Sequence, residues 1–186
     1  MGIKIGIVNF TYETKGSDPE RKYLNGGAIS KDANRYINTF SYQRIESFYT
    51  EAEEVINAMK QDGAEFISFY MHWGEEYQLS ANTWQKSIAQ KLSNLGVDII
   101  IGSHPHVIEP VELIHSEDGQ NTTVCLYSTG NAILRKRTDE KLNIVDSSKL
   151  YFVIQDYFKG SILKNESLVN NLILFFASWT AISFVR

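Results

Sequence analysis

The sequence predicts an α/β protein with a mixed sheet, and three observations carry that prediction. Short β-branched and aromatic runs alternate with stretches of helical apolar spacing, and each helical stretch closes on a glycine. The run "VDIII" (Val97–Ile101) is continuously apolar, as a strand covered on both faces should be. At 186 residues, the chain is long enough for one well-buried core.

The elements follow in order. The opening "IKIGIVNF" (Ile3–Phe10) suits a buried strand, and the Gly-, Pro- and charge-rich text after it reads as a long surface loop. Ala52, Val55, Ile56 and Met59 recur at helical spacing in a segment that begins near Thr50 and stops at Gly63. The strand "AEFISFYMHWG" leads to a second helix, with Trp84, Ile88, Leu92 and Leu95 on one face and a stop at Gly96. With "VDIIIGSHPHV" as the next strand, strand, helix and strand form a right-handed crossover unit. "IEPVELIHS" and "TTVCLYSTGN" flank a turn containing Asp118-Gly119 and read as a β-hairpin. Strand-like text returns at Lys149–Phe158. The apolar tail Leu168–Arg186 fits a buried or partner-covered element, a membrane segment or an aberrant read-through terminus.

Bulk properties narrow the function. A net charge of −4 provides no basic field, which argues against nucleic acid as a partner. The single cysteine, Cys125, lies in an apolar run and reads as a small buried hydrophobe, so no disulfide framework exists. The N-terminal ten residues read as a strand rather than a signal peptide, which leaves localisation open.

Three of the four histidines fall just past strand ends, where α/β sheets bind ligands. His72 ends one strand, and "SHPH" places His104 and His106 at the end of the next. If those strands are neighbours, a three-imidazole cluster for a divalent metal ion follows. Residues alternate sides in an extended loop, so His104 and His106 share one ion only if the loop curls; Pro105 is expected to hold His104 extended. Glu76 is a ligand, a partner to an imidazole N–H, a proton donor or a helix-start acid at a solvated end, while Glu75 mostly faces solvent. His115 reads as a surface residue, and Asn131 in "YSTGN" is a candidate to meet an anion or a metal. With one cysteine, the chain lacks the ligands of a zinc finger.

Taken in order, "HWGEEY", "VDIIIGSHPHVIEPVE" and "YSTGN" resemble the bacterial capsule-synthesis family often called CapA or PgsA, the poly-gamma-glutamate capsule proteins, up to about Leu134. The resemblance implies a relative of the calcineurin-like metallophosphoesterases, whose fold is a four-layer α/β sandwich with two divalent metals at strand ends. It further implies that this chain corresponds to the C-terminal half of such a domain, over 1–140, with 141–186 an atypical segment. Carried onto this chain, it implies His72, His104 and His106 as metal ligands, His104 and Glu76 as catalytic groups, and Asn131 as a substrate contact. The partners it implies are an anionic polyglutamate polymer and capsule-synthesis membrane proteins at the cell envelope. The family's acidic and Asn-His motifs have no counterpart before His72, so incomplete metal binding and self-association through an exposed sheet edge are expected. A non-catalytic polymer-binding component and an inactive truncated product are the alternatives.

Overall fold

The computed structural model describes residues 2–131. The chain divides into two compact units, Met1–Thr129 and Gly130–Arg186, and the architecture below is that of the first. The strand-like text at Lys149–Phe158, the apolar tail and the domain boundary expected near 140 lie outside the described residues.

The first unit is built from β1 (Ile5–Tyr12), β2 (Tyr23–Leu24), β3 (Gly27–Ala28), β4 (Thr39–Phe40), α1 (Ile45–Gln61), β5 (Phe66–His72), α2 (Thr83–Asn94), β6 (Ile99–Ser103), β7 (Val111–His115) and β8 (Thr122–Leu126). Six strands form one sheet in the order β4-β1-β5-β6-β8-β7, parallel except for β7, which pairs antiparallel with β8. The expected mixed sheet, the crossing of α2 between the parallel neighbours β5 and β6, and the terminal hairpin are all present.

Alternation along the strands decides where the core sits. Val8 and Phe10 on β1, Phe69 and Met71 on β5, Ile100 on β6 and Cys125 on β8 share one face and cluster with Phe48, Ala52 and Ile56 of α1 and Ile88, Ala89 and Leu92 of α2. Phe48 lies 5.1 Å edge-on to Phe10 and 5.0 Å from Phe40 between ring centroids, which joins α1 to β1 and β4. Cys125 is buried in this core, as its apolar setting suggests. The opposite face carries Ile5 and Ile7, 42% and 50% exposed. The reading of β1 as a buried strand therefore needs correction: among the described residues the helices cover one of its faces.

Four local readings change for identifiable reasons. Strand β1 starts and ends two residues later than expected, because pairing with β5 continues through Thr11 opposite His72. Helix α1 begins five residues before Thr50, led in by a 3-10 turn over Tyr42–Arg44 in which the Ser41 side chain accepts the Gln43 amide. The presumed loop contains the β2–β3 ribbon, closed by Asn25 and Gly26 at φ 50° and 76°, the left-handed pair that an Asn-Gly turn favours. In α2, Trp84 is 44% exposed and stands against the Tyr42 ring at the rim, while Gln85 and Ala89 take the inward positions beside Ile88 and Leu92.

At the opposite end of the sheet from the histidines, Asp98 accepts the Ile67 backbone N–H through Oδ2 at 2.7 Å. Burial pushes its carboxyl up to about 6, against the smaller opposing pulls of that amide and of Lys60. A carboxyl whose pKa is higher folded than unfolded contributes stability in its protonated form. That contribution is complete below the unfolded value of 3.8 and is lost as pH rises through about 6. Asp98→Asn, which keeps an acceptor for Ile67, is therefore expected to gain about 2 kcal/mol on the wild type between pH 4 and pH 8, read from urea denaturation at both values; an unchanged difference would refute the assignment.

Candidate functional site

The site gathers at the carboxyl ends of three adjacent parallel strands. Register places Thr11 opposite His72 and His72 opposite Ser103, so β1, β5 and β6 end level with one another. The neighbour relation on which the imidazole cluster depended is met: the rings of His72 and His104 lie 4.8 Å apart between centroids.

The loop after β6 curls. His104 and His106 have φ values of 105° and 62°, and Tyr77 in the facing loop has 62°. The expectation that Pro105 holds His104 extended is thus corrected; a backbone hydrogen bond from Tyr77 N–H to the Pro105 carbonyl, 2.8 Å, ties the two loops together. Non-glycine residues with positive φ cost of order 1–3 kcal/mol each and persist where surroundings over-determine them. Here the curl brings the His104 and His106 rings to 6.0 Å, and Tyr77 stacks on His106 at 6.0 Å with planes 29° apart.

With the loop curled, Glu76, His104 and His106 each offer one donor atom, and the three atoms all lie within 4.8 Å of one another. His72 stands beside this trio rather than in it; its Nδ1 is 3.3 Å from Ser103 Oγ. Glu75 is exposed and accepts from Asn82 at 3.5 Å. His115 is exposed and pairs with Thr122 across the hairpin, as a surface residue does. Asn131 belongs to the second unit and is half-buried, so the geometry here is that of the other candidates.

Burial lowers the pKa of His72, with the positive charges that His104 and His106 would carry adding to it. His104 is lowered by burial too, partly offset by Glu76 and reinforced by His106. Both imidazoles are therefore neutral at pH 7, the form in which a ring nitrogen keeps a lone pair. Two imidazoles and one carboxylate make a donor set of the kind that borderline divalent ions accept.

One participant escaped the sequence. Tyr12, at the end of β1, has its hydroxyl 3.1 Å from His104 Nε2 and its ring stacked on His72 at 5.9 Å with planes 5° apart. Its signal was the strand alternation, which runs on through Thr11 past the point where the text turns polar.

Behind the loops lies a buried scaffold. Trp73, fully buried, donates its indole N–H to the Tyr127 carbonyl at 2.9 Å. A Cβ on Gly102 would stand 1.9 Å from that carbonyl oxygen and 2.5 Å from the indole nitrogen, so only glycine fits between β5 and β8 here. Gln85 caps α2 reciprocally with Asn82 and extends its amide to Glu109 Oε2 at 2.6 Å. Glu109 is 2% exposed; burial raises its carboxyl above the ordinary range while the Gln85 amide pulls it down.

An α/β domain with an imidazole and carboxylate cluster at its strand ends is the class of protein these features define. The profile described as bacterial capsule synthesis protein PGA_cap matches residues 1–136, and the chain belongs to that family. It is 41% identical over 70 residues to "PGA biosynthesis protein CapA" of Bacillus subtilis (strain 168), covering 38% of this chain and 17% of that protein. It is 34% identical over 74 residues to "Capsule biosynthesis protein CapA" of Bacillus anthracis, covering 40% of this chain and 16% of that one. The aligned part is thus about a sixth of each relative's length. No helix among the described residues is long and apolar enough to cross a membrane.

Gly102→Ala is expected to cost about 2–4 kcal/mol, from overpacking and loss of the Trp73 bond, measured as a shift in urea midpoint. Wild-type stability in that variant would show that the strands can part without cost.

Proposed function

We propose that this chain contributes a metal-dependent, hydrolase-type site to poly-gamma-glutamate capsule biosynthesis. One observation carries the reading: Glu76, His104 and His106 converge within 4.8 Å at the strand ends of a domain that belongs to a capsule-synthesis family. These three residues would hold one divalent ion, which when bound polarises a phosphoryl or carbonyl oxygen and acidifies a water.

The chain's own groups do the rest. Neutral His72, one ring away from His104 and outside the donor trio, is placed to take a proton from an attacking water. Glu76, exposed at the mouth, supplies the negative charge that draws a cation to the imidazoles. The substrate in this reading is an anionic gamma-linked glutamyl chain, with hydrolysis or transfer as the reaction. A second ion would need carboxylates that the described residues do not bring to the trio. The work would be done at the cell envelope with capsule-synthesis membrane proteins as partners, and association through the sheet face bearing Ile5 and Ile7 belongs to the same picture.

The single carboxylate in the trio favours a second reading, in which a bound ion tethers carboxylates of the polymer without cleaving it. Calorimetric titration with Zn²⁺ or Mn²⁺ tests what both share. His104→Ala, His106→Ala and Glu76→Gln are each expected to weaken binding at least about tenfold and His72→Ala less, since it lies outside the trio. No stoichiometric binding by the wild type would refute both. With metal bound, shortened poly-gamma-glutamate supports the hydrolase, and metal-dependent retention of intact polymer supports the tether.

A further inference from the structure

The Tyr12–His104 contact has a chemical consequence that the donor trio leaves undetermined. A neutral imidazole carries one N–H and one lone pair, and His104 Nε2 stands 3.1 Å from the Tyr12 hydroxyl. If the phenol donated to Nε2, the proton of His104 would sit on Nδ1 and no lone pair would remain for a cation. If Nε2–H donates to the phenol oxygen, Nδ1 is bare.

Tyr12 is built to hold that bond. It lies on β1, paired in register with Phe40 of β4, whereas His104 lies on a strained loop with φ 105°. Its ring is fixed between His72, stacked at 5.9 Å, and Tyr42, 6.2 Å away, and it meets the His104 ring edge-on at 5.0 Å. A rigid strand residue thus sets the orientation of a loop imidazole, the arrangement by which an outer hydrogen-bond partner fixes the tautomer of a ligand.

We propose that Tyr12 is a positioning residue for His104: its hydroxyl oxygen accepts the Nε2 proton and leaves Nδ1 as the nitrogen presented to Glu76 and His106. The proposal rests on the metal reading for its purpose, but the tautomer is a property of the metal-free chain and can be measured without it.

The test uses the full chain labelled with ¹⁵N-histidine, metal-free at pH 8, in long-range ¹H–¹⁵N correlation spectra. With four histidines in the chain, His104 is assigned by its loss in His104→Ala. The expected wild-type pattern for His104 is protonated Nε2 and bare Nδ1. Tyr12→Phe, which keeps the ring between His72 and Tyr42, is expected to move His104 to a mixture of tautomers and to weaken Zn²⁺ binding about 10–100-fold. A wild-type His104 protonated on Nδ1 overturns the proposal, and that measurement needs no variant to fold. An unchanged tautomer in Tyr12→Phe, or unchanged Zn²⁺ affinity where the wild type binds, also overturns it. A tautomer shift in a chain that binds no metal supports Tyr12 as the positioning residue and refutes the metal reading instead.

Discussion

The bond from the Trp73 indole to the Tyr127 carbonyl, passing across Gly102, is the constraint on which the rest of the site depends. It joins the strand end that carries His72 to the end of β8, and it does so over a β6 residue two positions before His104. The Thr129 N–H to the Gly102 carbonyl, 3.1 Å, adds a second tie at the same point. Because Trp73 is fully buried and its one donor is used, the loop from Gly74 to Tyr77 leaves the sheet at a fixed place. Glu76 then reaches the imidazoles from a defined direction.

The loops themselves are the strained part of the molecule and the sheet is the relaxed part. Tyr77, His104 and His106 all hold positive φ within one small region, and the Tyr77-to-Pro105 backbone bond is made between two of these strained turns. Such a conformation survives because parallel strands ending in register leave the loops little choice of path. The candidate site lies where rigid strand ends hand over to short constrained loops, which agrees with the general placement of ligands in α/β sheets.

Much of this was legible from residues alone. Continuous apolar text marked β6, and the helical spacing found the greater part of both helices, so the neighbouring ends of β5 and β6 could be expected to bring His72 toward His104. What was not legible had tertiary causes. The preference of a residue before proline for extended backbone lost to the tie between the two loops, so the extended backbone expected at His104 gives way to a curl. Tyr12 was hidden because strand pairing, with β5 through Thr11 and with Phe40 of β4 at Tyr12 itself, outlasts the apolar run that announces the strand. The lead-in of α1 was hidden because the helical spacing was counted from Ala52, whereas Phe48, packed against Phe10 and Phe40, already belongs to the helix. The relation of Asn131 to the imidazoles could not be read from spacing, which says nothing about distance between units.

The polar scaffold behind the loops has a consequence for how the protein can vary. Gln85 is at once the reciprocal partner of the α2 cap and the hydrogen-bond partner of buried Glu109, and its side chain fills the space that a Cβ on Gly74 would need. Positions 74, 85 and 109 are therefore not independent. An exchange at one changes which residues the other two tolerate, and their effects should combine non-additively, as residues sharing one network do. Divergence within this part of the molecule has to proceed by coordinated exchanges at the three positions.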